Sequence, residues 1–421
     1  MKLFSNIKLA LAEVKRYERS ERSFIYLCCF IWANVVLQYF YAAILHIGPI
    51  SFLSTWIGPC VATLLIIGAI PYFLKKVTST VYILFFCSLI LYLLNYQIYP
   101  ENTAGLNRYS SMFYAALPMI FIGVCIEIRK VEKLFYYISV INIISCSFYF
   151  LIYAQASSYD GSAITGETDY NMGASYTILP HVIYVTWQMY KKQMILNIFA
   201  TTIGFILIAS FGTRGPLVCY IIFNSLYLLI IKQYKKPARM RLLILCLSCI
   251  VVVSLNQIML FLAEFVNSIG MSDRIFQIAL EGNFIGGESS GNERLLFADI
   301  MYNRIQNSTD FFGHGIAGTE RVLHTYPHNL FLEILHSFGL IPGITIMGMI
   351  VYIIIKKYFS CHNENDRSFL MLLLCCGFIK LFMSGTFLVE AFFFFLIGYS
   401  INNSFYDRPF IRFKNDSNSN L

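Results

Sequence analysis

Apolar stretches of about 20 residues recur from end to end of this chain, and each is long enough to cross a hydrocarbon layer roughly 30 Å thick as a helix. Runs such as 81–94 and 392–397 are apolar on every side, whereas the strands of a membrane barrel would alternate apolar and polar residues. Backbone polar groups in lipid must be satisfied within their own segment. We therefore predict an all-α, polytopic integral membrane protein.

Composition agrees with lipid as the main solvent. Of the 421 residues, 57% are hydrophobic and 13% are charged, compared with roughly 25% charged residues in an ordinary soluble domain. The twelve cysteines lie almost all within the apolar stretches, and their spacing indicates neither a disulfide framework nor a metal site. The formal net charge of +8 follows the predicted membrane topology, so we expect membrane lipid and no nucleic acid as a partner.

Lysine and arginine mark alternate connecting loops, which predicts their sidedness. About twelve spans are expected to begin near residues 24, 52, 77, 110, 134, 171, 194, 216, 242, 328, 368 and 390. Basic clusters then fall on one side, predicted to be cytoplasmic, at 15–22, 75–76, 129–133, 191–192, 232–241, 356–357 and 408–414. Both termini are predicted to be cytoplasmic.

We interpret residues 1–421 as a single membrane domain. Residues 1–23 carry charges inside their first apolar run and no small-residue cleavage site, so they are predicted to form a basic interfacial helix and not a signal peptide. Residues 403–421 are predicted to form a cytoplasmic tail. A long loop, 267–327, is predicted to lie between spans nine and ten on the outer side and to include an amphipathic helix at about 292–306.

The outward-facing cations are all arginines. Arginine offers a planar fork of donors that matches phosphate oxygens, whereas lysine is a hydrated point charge. The pattern favours a phosphate-bearing ligand; the alternative is that selection for positive charge inside removes lysine from this side. The six arginines concerned are Arg108, Arg214, Arg274, Arg294, Arg304 and Arg321.

Two outward turns could carry chemistry. In the first, Arg214 and Gly215 precede Pro216, which suits the first turn of a helix. The N-terminus of that helix would present free amides and a partial positive charge beside Arg214, as an anion site requires. The alternative is a tight turn whose arginine reaches lipid headgroups.

In the second turn, Pro327 is expected to open a helix with His328 and Asn329 in its first turn. Asn329, Glu333 and His336 would then share one face, so Glu333 need not orient His328. His324 lies four residues before His328, but the intervening proline and the lack of a third ligand argue against zinc. Further along, Lys380 and Glu390 could form a structural ion pair.

Together these outward features resemble the bacterial O-antigen polymerase and O-antigen ligase superfamily. The resemblance rests on 213–215 before a span, on 293–294 opening a helix, on the 312–318 sequence FGHGIAG, and on 328–333 with the later Gly339. Ala298 departs from the pattern, because an aromatic tryptophan is expected there.

The resemblance implies a GT-C-like membrane glycosyltransferase without metal or cofactor. Its substrates would be undecaprenyl-diphosphate-linked oligosaccharides at the periplasmic face of the cell inner membrane. Arg214 and Arg294 would hold the diphosphate, and His328 would be the general base. The remaining candidates for substrate binding are Asn329, Glu333, Arg274, Arg304, Arg321 and His324.

Three functions remain open. A polymerase would join a growing lipid-linked chain to the next repeat unit, with a chain-length regulator protein as a further candidate partner. A ligase would move the finished chain to lipid A core. A secondary transporter is also compatible with about twelve spans, although the longest loop and the polar groups on one outer surface argue against it.

Overall fold

The computed structural model describes residues 67–70, 72–74, 76–113, 116–157, 172–192, 194–210, 214–230, 260–261, 264–265, 268, 290–307, 313–361 and 363–402. The secondary structure of these residues is helical, with no strand among them. The span predicted near residue 24, most of the spans predicted near residues 52 and 242, and the 1–23 and 403–421 segments lie outside this part of the chain.

The first helices lie between residues 79 and 230. They are α1 (Ser79–Ile98), α2 (Thr103–Arg108), α3 (Met119–Cys125), α4 (Ile128–Ser157), α5 (Met172–Lys191), α6 (Ile195–Ser210) and α7 (Arg214–Ile230). The later ones are α8 (Ser290–Asn307), α9 (Gly318–Leu323), α10 (Leu330–Phe338), α11 (Leu340–Ser360), α12 (Glu364–Leu373) and α13 (Ala391–Ile401). The helix predicted at about 292–306 is confirmed as α8, but its predicted apolar face is divided, since Met301 is buried while Leu296 and Tyr302 are exposed.

Three of these helices are long and apolar enough to cross a membrane: α1, the 128–148 part of α4, and α11. Shorter apolar helices occur within α6, α7 and α13. Large apolar side chains stay exposed on the long helices, including Phe86 and Leu93 on α1 and Met349 and Tyr352 on α11. Because such continuous apolar faces would be unfavourable in water, they indicate a membrane protein.

Three predicted spans differ from what the structure shows. Near residue 110 short helices replace a span, because the chain turns at Ser110–Met112 and again before α3. The segment expected to start a span at 328 is divided by Gly339, whose φ of 84° ends α10 and precedes α11. After α12 the chain continues as a π-helix, Leu374–Phe378, and a 3-10 helix, Ile379–Phe382. Apolar composition alone does not report these breaks.

Two glycines allow α3 and α13 to pack backbone to backbone. A Cβ atom on Gly398 would overlap the carbonyl group of Ile120, and one on Gly123 would lie 2.6 Å from the amide nitrogen of Tyr399. Small residues that let helices approach closely are a common basis of association in membranes.

We expect Gly398→Ala to lower the free energy of unfolding by about 3 kcal/mol, at the upper end of the cost of overpacking, because backbone atoms must move apart. Gly348→Ala on α11 is the matched control, since a Cβ there meets nothing within 4 Å. Thermal and denaturant unfolding in detergent measure both variants. Equal stability of the two would contradict the close approach.

Charged side chains gather at two opposite ends of α1 and α11. At one end, which we call the basic end, Lys191 and Asn365 both bond Glu132, and Arg129 lies 3.7 Å from Asp366. The other end, which we call the loop end, joins residues 95–113 to 313–339. In each of these contacts, the two segments are ones that the distribution of lysine and arginine assigns to the same side of the membrane.

Candidate functional site

His328 lies immediately before α10 in a left-handed backbone conformation, with φ of 53°. The helix begins at Leu330, and the Asn329 side chain caps it by accepting hydrogen bonds from the amides of Phe331 and Leu332 at 3.0 and 3.3 Å. The expectation that Pro327 opens the helix is therefore wrong. Asparagine is a strong N-cap, and it satisfies amides that would otherwise lack a partner. Asn329, predicted to bind substrate, has its side-chain oxygen engaged in this cap.

The His328 ring is half-buried and packs edge-on against Tyr326, with ring centroids 4.5 Å apart. A left-handed conformation is uncommon for a residue with a Cβ atom. It costs roughly 1–3 kcal/mol and persists where the surroundings hold it, often at functional sites. The turn thus fixes one orientation for the imidazole at the start of α10.

Glu333 is buried, and its contacts are internal. Its carboxylate accepts hydrogen bonds from the hydroxyl of Thr386 and from the amide of Phe387, the latter at 3.4 Å. The residue is only 2% exposed. This position does not support the prediction that Glu333 binds substrate. The expectation that it need not orient His328 agrees with these contacts.

Burial raises the pKa of Glu333 to about 8, and the two hydrogen bonds oppose that rise. Glu333 belongs to α10, a nine-residue helix that is not among the helices long enough to cross a membrane. A raised native pKa means that the folded state holds the proton more tightly than the unfolded chain.

We expect the wild type to lose stability relative to Glu333→Gln as pH rises from about 5 to about 8, by at most ~1.4 kcal/mol per pH unit. The contribution is complete below the ordinary carboxyl pKa of 4.5 and is lost as pH passes the native value. Unfolding midpoints in detergent at several pH values provide the measurement. Parallel curves for the two proteins would contradict a protonated buried Glu333.

The FGHGIAG segment closes the far end of α10. Backbone amides of His314 and Gly315 donate to the carbonyls of His336 and Ser337 at 2.8 and 3.0 Å, which satisfies groups that a helix leaves open at its C-terminus. Asn102 donates to the His314 carbonyl at 2.8 Å. The segment therefore joins α10 to the chain that follows α1.

Two of the outward arginines are engaged in ion pairs. Arg108 bonds Glu320, which also accepts from Tyr109 at 2.6 Å. Arg321 lies 3.0 Å from Glu101. These pairs hold α9 against the 99–109 segment, so Arg321, predicted to bind substrate, has an acidic partner within the protein.

The other predicted ligand-binding residues vary in position. Arg304 and His324 are exposed at the loop end, and His324 ends α9 with φ of 55°. Arg274 lies outside the described residues. The pKa of buried His336 is lowered to about 3. Burial is the largest cause, and the nearby charges of His314, Arg304 and Arg321 lower the pKa further.

Arg214 and Arg294 are located by their helices. Arg214 is the first residue of α7, with Pro216 in its first turn, as the sequence predicts. The far end of α7 reaches the basic end, where Tyr227 bonds Glu364, so its N-terminus points the other way. Arg294 lies in the first part of α8, which packs against α10. Arg214 therefore lies at the end of α7 opposite the basic end, and Arg294 lies on a helix that packs against α10.

A helix N-terminus beside an arginine suits an anionic ligand, and an imidazole held in one orientation suits proton transfer. Among the described residues no group of three or more His, Cys, Asp or Glu side chains could hold a metal ion. Comparison with protein-family models, with curated proteins and with solved structures finds no match to this chain.

Proposed function

We propose that this protein is an O-antigen polymerase, a metal-independent membrane glycosyltransferase of the GT-C class. It joins undecaprenyl-diphosphate-linked oligosaccharide repeat units at the periplasmic face of the bacterial inner membrane. The observation that carries the proposal is the shared position, opposite the basic end, of the α7 N-terminus with Arg214 and the constrained turn with His328. The resemblance in the sequence around both turns supports the same function.

The chemistry follows from these groups. His328 takes the proton from the acceptor sugar hydroxyl while that oxygen bonds the anomeric carbon of the donor. The bond from this carbon to undecaprenyl diphosphate breaks, and the diphosphate leaves with the electron pair. Arg214, Arg294 and the amides at the start of α7 stabilise the charge that grows on the leaving group, more in the transition state than before it.

Deletion of the gene tests the proposal. A polymerase mutant is expected to leave lipopolysaccharide with core plus a single repeat unit, since export and ligation of one unit still proceed. Gel profiles of surface lipopolysaccharide give the measurement, and plasmid-borne wild type is the control. Bare core with long chains on the undecaprenyl carrier would favour the ligase alternative instead.

One observation favours the transporter alternative. Halfway along α4 and α5, buried His181 lies 2.9 Å from the Asn142 amide and 3.2 Å from the Ser139 hydroxyl, and ionisable residues within membranes often line transport pathways. If the protein were a transporter of lipid-linked units, its deletion would leave lipopolysaccharide with bare core and no chains in the periplasm. The deletion profile, combined with the location of the lipid-linked material, separates all three functions.

A further inference from the structure

The loop at residues 380–390, for which the sequence predicts only a structural ion pair, contacts both α10 and the start of α7. The expected ion pair between Lys380 and Glu390 is present and closes the loop. The amides of Met383 and Ser384 both donate to the Lys380 carbonyl at 2.8 Å. Glu390 also caps α13 through the amide of Phe392. The loop is therefore bonded at its base and to the helix that follows.

On one side the loop is hydrogen-bonded to α10. Thr386 donates its hydroxyl hydrogen to the Glu333 carboxylate and accepts from the amide of Leu388 at 3.2 Å. The amide of Glu333 in turn donates to the carbonyl of Asn329 at 3.0 Å. Two successive hydrogen bonds, from Thr386 to Glu333 and from Glu333 to Asn329, thus connect the loop to the residue that follows His328.

On the other side the loop contacts the start of α7. The contact involves Tyr176 of α5, which packs against Gly215. Lys380 lies over the ring of Tyr176, with its ammonium 4.8 Å from the ring centroid. A Cβ atom on Gly215 would overlap the Tyr176 hydroxyl and lie 3.3 Å from Cβ of Met383. Gly215 directly follows Arg214, so the loop abuts the N-terminus that carries this arginine.

We propose that the 380–390 loop is a positioning element that sets the separation between the α7 N-terminus and the His328 turn, with Thr386 as its principal positioning residue. This proposal rests on the proposed function for its catalytic consequence, because donor diphosphate and acceptor hydroxyl must meet at a fixed distance. A misplacement of about 1 Å can cost ~10²-fold in rate. The internal contacts of Glu333 are then the anchor of the loop on α10.

Distance measurement tests the positioning directly. Nitroxide labels are attached through keto-bearing residues at Ile221 on α7 and Phe331 on α10, which are 53% and 41% exposed. Thr386→Val keeps the shape but removes the hydroxyl, so the distance distribution should broaden or shift. Thr386→Ser should retain the wild-type distribution. Thr345→Val is the matched control, since Thr345 lies on the exposed face of α11 and bonds only within its helix.

Polymerisation supplies the second readout. We expect Thr386→Val to lower kcat by ~10- to 10²-fold with a smaller change in donor KM, because alignment and not binding is lost. Thr386→Ser should recover most of the rate. An unchanged distance distribution in Thr386→Val overturns the proposal, as does a changed distribution with full kcat. If wild type also forms no polymer, the proposed function fails, while the distances still decide whether the loop fixes the two turns.

Discussion

Replacing His328 by alanine is expected to lower polymer formation by about 10²- to 10⁴-fold, the usual contribution of a general base, while the protein stays folded in the membrane. The ring is half-buried against Tyr326, so its loss removes little packing. In the proposed reaction, removal of the imidazole leaves the acceptor hydroxyl without a proton acceptor in the transition state. Rates with lipid-linked repeat units, normalised to protein in the membrane, provide the measurement.

The left-handed backbone at His328 requires a second variant, since the turn itself could be what matters. Asparagine adopts this conformation more readily than most residues, so His328→Asn should keep the turn and still lose activity. His324→Ala is a comparison and not a neutral control: His324 is exposed and has nearly the same φ, but as a candidate for substrate binding it should affect KM more than kcat. Full activity in His328→Asn would show that the turn, and not the imidazole, is needed.

Helical structure and membrane character followed from composition and periodicity, because both depend on local sequence. The breaks did not, although each has a signal that can be named afterwards. Gly339 lies between two apolar runs and takes a positive φ, but a glycine inside a helix can equally be tolerated. The capping role of Asn329 was also visible in principle, since asparagine before an apolar run is a typical helix start.

Contacts across the loop end could not be found in the sequence. Glu320 pairs with Arg108, and Asn95 accepts from the Ile316 amide at 2.7 Å, yet each pair is separated by more than two hundred residues. No periodicity links such positions. The prediction of phosphate-binding arginines treated each one separately, and so it missed that Arg108 and Arg321 have acidic partners while Arg214 is set by its place at a helix start.

The same distinction predicts which arginines matter most. Arg214→Lys and Arg294→Lys are each expected to lower polymerisation by about 10²- to 10³-fold, comparable with the loss of one donor to a developing anion. Lysine keeps the charge but loses the planar two-point contact with phosphate. The loss should appear mainly in kcat, because in the proposed reaction the charge on the diphosphate increases as the glycosidic bond breaks. Arg321→Lys should have a smaller effect, since an exposed ion pair contributes at most about 1 kcal/mol.

Arg129→Lys at the basic end is the matched control for this series. Its guanidinium lies 3.7 Å from Asp366 and is 62% exposed, so it is a paired arginine far from the loop end, and the change should leave the rate near that of wild type. Assays at low and at saturating donor separate binding from the chemical step. If Arg214→Lys polymerises as fast as Arg129→Lys, then charge alone is sufficient at the start of α7. The two-point contact would then have no part in the reaction, and the amides of the helix N-terminus would remain as the directional donors to the leaving group.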